Sequence, residues 1–364
     1  MAKSGALLVA ALLAGALVLG CGDGRAVGPF DAGVVDAPAG DGETPTGDAA
    51  AAADATPAAD APACVPDACG VCGGDNPHCL IGDTTLTLTG SPGTSGDLTV
   101  RVFYPAYATG TDAAPSPGAF PLAVFGHGYQ QSYQDYRYAW ENLVPRGFIV
   151  ALHDRLSSDL TIDIDEYALD LGFIVARVRA LGAEPTSPLF GHVAAGAAIL
   201  GHSTGGGASF NAAADAAAGQ GPLPTTIVAL APLGNLTGSP IYGTSPITAA
   251  AAVTVPTLIL GGGEDCLCPV PAHGQLLYDA LPAGTTRYRA TLTRGDHCGF
   301  SDRDGPGLAK CEAGEAAMCF YAQGPTMTVA EQNQLAMTLV APWLEHYLQQ
   351  RPAAWGALQA ALGS

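Results

Sequence analysis

The sequence predicts an α/β fold, a mostly parallel twisted sheet with helices on both faces. Three observations predict it. The short, wholly apolar segment 121–125 has the composition of a central parallel strand, buried on both sides, and 148–153 reads as the next strand. Strand-like and helix-like segments alternate from Leu80 to Gln350, which is the signature of a covered parallel sheet. Finally, the apolar run 193–200 passes through a glycine-rich point into an Ala-rich run, 208–218, a strand turning sharply into a helix.

The chain has 364 residues and a net charge of −19, with Lys3 and Lys310 as its only lysines. No basic run exists, so nucleic acid is excluded as a partner, and an acidic surface does not dock on anionic lipid. Residues 1–20 read as an export signal. Lys3 precedes an apolar core, 6–19, too short to span a bilayer. It ends in Val18-Leu19-Gly20-Cys21, which resembles the bacterial lipobox and implies a lipidated Cys21 as the only membrane attachment. Residues 21–63, rich in Ala, Asp, Pro and Gly, cannot bury enough apolar surface to fold and read as an acidic tether. Cys64, Cys69, Cys72 and Cys79 then crowd into 16 residues. In an exported chain that density means a disulfide knot of undetermined connectivity, although Cys-x-x-Cys with His78 nearby is also a zinc spacing.

The folded domain is read as 80–350, with 351–364 as a tail. Residues 84–88 and 98–104 alternate as a hairpin, and 121–125 is the first central strand. A helix over 133–146, a strand at 148–153 and a helix over 163–181 follow. The last of these has acids at its start and Arg177 and Arg179 near its end, matching the helix dipole. Beyond the 193–200 strand, further strands fall at 226–231, 256–260 and 287–292, with helices at 272–281 and 329–348.

Chemistry concentrates at Gly201-His202-Ser203-Thr204-Gly205, a G-x-S-x-G nucleophile elbow. A serine in this turn takes a strained backbone, so Gly201 and Gly205 must be small. In such sheets the working groups lie beyond the carboxyl ends of strands. Just after the 256–260 strand comes Glu264-Asp265, and just after 287–292 comes Asp296-His297. Serine, then acid, then histidine is the order of the α/β-hydrolases. His297 is the candidate base, ahead of His127, His153 and His202. Asp265, with the shorter reach, is preferred to Glu264 as its acid, and Asp296 reads as a turn residue. The loop Phe125-Gly126-His127-Gly128-Tyr129 supplies the first oxyanion donor, the Tyr129 N–H; the second is the Thr204 N–H. Only 233–255 separates two of the strands, too few residues for a lid domain. No metal or cofactor is expected, and a monomer acting on esters is the reading. A non-catalytic binding protein or a serine peptidase on the same scaffold are the alternatives. Dehalogenase and epoxide hydrolase chemistry would need aspartate at Ser203.

The segments Phe120-Pro121-Leu122-Ala123-Val124-Phe125-Gly126-His127-Gly128-Tyr129, Arg146-Gly147-Phe148-Ile149-Val150-Ala151 and Gly201-His202-Ser203-Thr204-Gly205-Gly206 resemble the chlorophyllase-like and bacterial cutinase or polyester hydrolase branch of the α/β-hydrolases. Asp265-Cys266-Leu267-Cys268-Pro269 is similar to that branch's acid loop. The resemblance implies a serine ester hydrolase with Tyr129 and Thr204 as oxyanion donors. It departs at Leu233, where polyester hydrolases carry an aromatic ring after Ala-Pro.

The remaining cysteines suggest a clamp. If Asp265 meets His297, Cys298 must lie near Cys266 and Cys268, so a bridge from Cys298 to one of them is expected. Cys311 and Cys319 then pair with each other or take up the other member of that couple. Nine cysteines follow Cys21, so at least one has no partner within the chain.

Overall fold

A computed structural model describes residues 30–31, 80–93, 96–155, 158–319 and 327–362. Residues 1–20, expected to be an export signal, Cys21 and the cysteines at 64, 69, 72 and 79 lie outside the described residues. The chain runs β1 (Phe30–Asp31), β2 (Leu80–Ser91), β3 (Gly96–Ala106), β4 (Gly110–Thr111) and β5 (Phe120–Gly126). Next come α1 (Arg137–Leu143), β6 (Ile149–His153), β7 (Ile162–Asp163), α2 (Ile164–Leu181), β8 (Val193–His202) and α3 (Thr204–Ala217). After β9 (Thr226–Leu230) follow β10 (Ile241–Tyr242), α4 (Pro246–Ala250), β11 (Thr257–Gly262), α5 (Gly274–Ala280) and β12 (Arg287–Leu292). The chain closes with α6 (Leu308–Met318), α7 (Val329–Gln349) and α8 (Pro352–Leu362).

Ten strands form one sheet in the order β1-β12-β11-β9-β8-β5-β6-β3-β2-β4. The six strands β12, β11, β9, β8, β5 and β6 pair in parallel, and the β2–β3 hairpin adds antiparallel to β6. The chain leaves β5 for β6 on one side, then returns to β8 on the other. That reversal opens a crevice beyond the carboxyl ends of β5 and β8, where ligands bind in such sheets. β5, β6, β9 and β11 are buried at every residue, as their unbroken apolar runs require.

One hydrophobic layer packs α2 and α3 on the sheet, and the other packs α1, α7 and α8 on its opposite face. α2 buries Ile164, Tyr167, Ala168, Leu171, Ile174, Val175 and Val178, the i, i+3, i+4 pattern of one helical face. Asp163 caps it, accepting from the Asp165 amide at 3.0 Å. α7 opens with a reciprocal Thr328–Glu331 capping box, and its Trp343 indole donates to Thr226 Oγ1 at 2.8 Å, fixing the helix to β9.

Four expectations change. Residues 133–146 are not one helix: α1 is flanked by short 3-10 turns, the second containing Pro145, which cannot donate an interior helical bond. Residues 351–364 are not a tail, because α8 buries Ala354 and Leu358, and Trp355 packs on Trp343 and Tyr288. Within 21–63, read as an unstructured tether, Phe30–Asp31 pairs antiparallel with Leu292 and Thr291 at the sheet edge. Residues 308–318 form a helix where none was expected. The segment 233–255 holds only β10 and α4, so no lid domain stands over the crevice.

Candidate active site

Ser203 sits between the last residue of β8 and the first of α3, with φ +54° and ψ −117°. A non-glycine residue there stores on the order of 1–3 kcal/mol of strain. The surroundings hold it. The Ser203 amide donates to Leu230 O at 2.9 Å, and its carbonyl accepts from Gly207 and Leu233, each at 2.9 Å. The turn is tight enough that only glycine fits on either side. A Cβ on Gly201 would lie 2.3 Å from the Gly205 carbonyl group, and one on Gly205 would lie 2.2 Å from Gly126 O. Gly205 thus joins the elbow to the end of β5, whose following loop carries Tyr129.

Asp265 and His297 follow β11 and β12, neighbouring strands, and meet with Nδ1 and Oδ2 2.8 Å apart. Both are buried, at 5 % and 3 % exposure. The other Asp265 oxygen accepts from the amides of Leu267 at 2.9 Å and Cys268 at 2.6 Å, which fixes the carboxylate's rotation. Burial alone would lower the His297 pKa, but Asp265, by charge and hydrogen bond, and then Glu315 and Asp296 outweigh it and raise it. Glu264 is tied by its amide to Gly295 O. Asp296 caps its own turn, accepting from Gly299 N at 2.6 Å.

His202 links the serine to the histidine. It is fully buried, and burial drives its pKa far down, so the ring is neutral. Its Nε2 donates to the His297 carbonyl at 3.1 Å, and the two rings lie 4.8 Å apart. The loop after β5 is braced from the same side: Gly128 N donates to Tyr136 Oη at 2.7 Å, and Tyr136 Oη lies 3.0 Å from His202 Nδ1. His127 faces Gly128 O and Arg155 O at 2.8 and 2.7 Å. His153 is buried beside His127 and Tyr167, and burial holds its pKa far below the ordinary range. Among the described residues, the amides of Tyr129 and Thr204, the two expected oxyanion donors, make no backbone hydrogen bond.

The disulfides correct the expected clamp. Cys298 bonds Cys311 and Cys266 bonds Cys319, so no bridge joins Cys298 to Cys266 or Cys268 directly. Cys268, expected within the bridged set, is a free and buried thiol. Burial pushes that thiol up, the nearby Asp265 charge adds to this, and a hydrogen bond with the Ser203 side chain opposes it. The cause of the altered pairing is α6, which lies between the acid and base loops and takes one bridge from each. By loop-closure entropy alone, separations of 53 and 13 residues correspond to roughly 4 and 3 kcal/mol. The second loop is nested in the first, so these values do not add.

Two further residues escaped the sequence reading. Glu315 on α6 is buried to 8 % exposure and accepts from the amides of Cys266, His297 and Cys298 at 3.2, 2.9 and 3.2 Å. His273 accepts from the amides of Gly234 at 3.1 Å and Asn235 at 3.3 Å, holding the segment after β9. Burial lowers its pKa to about 4, so it stays neutral and keeps that acceptor. Spacing offered a signal only for Glu315, which stands four residues from both Cys311 and Cys319.

Known proteins agree with this architecture. The family model described as PET hydrolase-like matches residues 82–312, well over half of the chain. A bis(hydroxyethyl) terephthalate hydrolase of Streptomyces coelicolor is 25% identical over 222 residues. The match takes in 60% of this chain and 60% of that relative, so the chain spans about three fifths of the relative's length. The solved structure of a ferulic acid esterase from Streptomyces cinnamoneus superposes with a TM-score of 0.56 at 19% identity, covering 75% of this chain and 91% of that one. At that identity the likeness shows the fold alone. On the strength of the family match, and with the sheet order already described, the chain belongs to the PET hydrolase-like family of α/β-hydrolases.

Proposed function

We propose that the chain is an exported serine carboxylic-ester hydrolase that works through an acyl-enzyme on Ser203. The observation that carries this reading is the buried 2.8 Å Asp265–His297 pair together with a positive-φ serine at a strand-to-helix turn, whose preceding residue, His202, contacts the His297 carbonyl. Asp265 takes the Nδ1–H of His297, which leaves Nε2 as the basic nitrogen. Nε2 accepts the Ser203 proton as Oγ attacks the ester carbonyl carbon, and the carbonyl electron pair moves onto oxygen. The amides of Tyr129 and Thr204 are the donors for that oxyanion. On collapse the C–O bond to the alcohol breaks, and the alkoxide leaves with the proton from Nε2. Water then attacks the acyl carbon, gives its proton to Nε2, and returns Ser203 with release of the acid.

The short segment after β9 supports an open site, suited to soluble or surface-presented esters. The named activity of the Streptomyces coelicolor relative makes small aromatic diesters the first substrates to try. Leu233 offers no ring for stacking an aromatic unit, which favours such small diesters over long aromatic polymer. A fluorophosphonate probe is expected to label Ser203, and bis(hydroxyethyl) terephthalate and short p-nitrophenyl esters are expected to be hydrolysed. Folded protein that neither labels nor turns over any ester would overturn the reading.

Cys21 is proposed as the site of lipidation, supported by the apolar segment that ends Gly20-Cys21. Cys21→Ser is expected to move esterase activity from the membrane to the soluble fraction of cells. An unchanged membrane share in the mutant would refute the anchor.

A further inference from the structure

Helix α6 carries Cys311, Glu315 and Cys319 at intervals of four residues, Cys319 directly following its last turn. That spacing sets all three on one face. Each meets the acid loop, the base loop or both. Cys319 bonds Cys266, the neighbour of Asp265, and Cys311 bonds Cys298, the neighbour of His297. Between them the Glu315 carboxylate takes amides from both loops, Cys266 N on one side and His297 N and Cys298 N on the other. Three N–H donors converge on its two oxygens, so it binds as the anion.

We infer that Glu315 is a positioning residue for ester hydrolysis, a side chain that bonds both the Asp265 and the His297 loops and holds them in register while adding a further negative charge near the imidazole. This rests on the triad reading above. The alignment is needed because Asp265 and His297 come from separate loops, and a small misplacement of a base is costly in rate. The charge matters because His297 becomes an imidazolium during acylation and deacylation, and a nearby carboxylate stabilises that form. The ionisable groups facing His297 are Asp265 on the acid loop, Asp296 on its own loop, Glu315 on α6, His202 at the end of β8 and His273 before α5. Asp265, Asp296 and Glu315 act to hold the proton on His297, with burial opposing them. The Glu315 carboxyl itself is raised above its ordinary range, chiefly by burial, with the His297 amide and charge opposing the rise and Asp265 and Asp296 adding to it.

The test is Glu315→Gln, which keeps the shape, removes the charge and presents an amide N–H to donors. The expected result is a folded enzyme with kcat down roughly ten- to hundredfold, KM unchanged, and the acid limb of kcat/KM moved to lower pH. The direction follows because the base must be neutral and the lost charge had raised its pKa. Glu315→Asp keeps the charge but shortens the reach, so its acid limb should stay at the wild-type pH while kcat falls. A folded Gln variant with wild-type kcat and acid limb would overturn the inference. If the Gln variant does not fold, the Asp variant decides, and wild-type kcat there overturns it. Ser203→Ala and His297→Ala run in the same assay separate the two readings: activity retained in those variants removes the triad itself.

Discussion

Ser203→Ala is expected to abolish ester hydrolysis, with a loss of at least ~10⁴-fold, and His297→Ala is expected to lose as much. Members of a nucleophile–base–acid set act as a unit, so removing either leaves only binding and oxyanion stabilisation. The fold should survive both changes. Ser203 contributes its backbone to the turn through bonds to Leu230, Gly207 and Leu233, none of which uses the hydroxyl. His297 is held by its amide and carbonyl as well as by its ring. Asp265→Asn should hurt less than either, and Glu264→Gln should hurt little, since the Glu264 contact here is made by its amide. Steady-state kinetics on a p-nitrophenyl ester, with circular dichroism as the fold control, checks all four. Near-normal turnover in His297→Ala would remove it as the base.

The largest expected loss of stability comes from Gly205→Ala. The new methyl would lie 2.2 Å from the oxygen and 2.3 Å from the carbon of the Gly126 carbonyl. Both partners are backbone, fixed by the β5–β8 ladder, in which Gly126 pairs with Gly201. No rotamer change relieves the clash, so α3 must move off the sheet. A penalty of roughly 4 kcal/mol or more follows, at the upper end of what single substitutions cost. Gly172→Ala, in the interior of α2 with nothing within 4 Å of the new methyl, is the control. It should be neutral or gain up to about 1 kcal/mol from helix propensity. Denaturant unfolding of the two variants measures the contrast, and equal midpoints would contradict the close approach.

The sheet and the serine turn were legible because each is dictated locally. An apolar run buried on both faces can be only a central strand or a buried helix, and length decides between them. β12 falls at the residues expected, and Ser203 lies at the strand-to-helix junction with the positive φ that its two glycine neighbours imply. Asp265 and His297 could be nominated because each directly follows such a strand. Helix α6 could not. It buries only Glu315 and has no apolar face, so hydrophobic periodicity carries no trace of it. Disulfide pairing failed for a related reason. Meeting of the acid and base loops implied that Cys266 and Cys298 are near one another, but a third element between them sent each bond elsewhere. α8 is not set by local sequence alone: a helix of eleven residues is marginal by itself, and this one is fixed by Trp355 packing on Trp343 of α7 and by burial of Leu358.

The absence of an apolar face on α6 has a consequence for hydrogen exchange. Most helices here are docked by the same hydrophobic layers that hold the sheet, so exposing their amides requires something close to global unfolding. α6 is docked by two covalent bonds and one carboxylate, outside both layers. Its protection should therefore follow the redox state of those bonds rather than denaturant concentration. Under reducing conditions its amides can exchange by local opening while α2, α3 and α7 stay protected, and catalytic competence becomes separable from having folded.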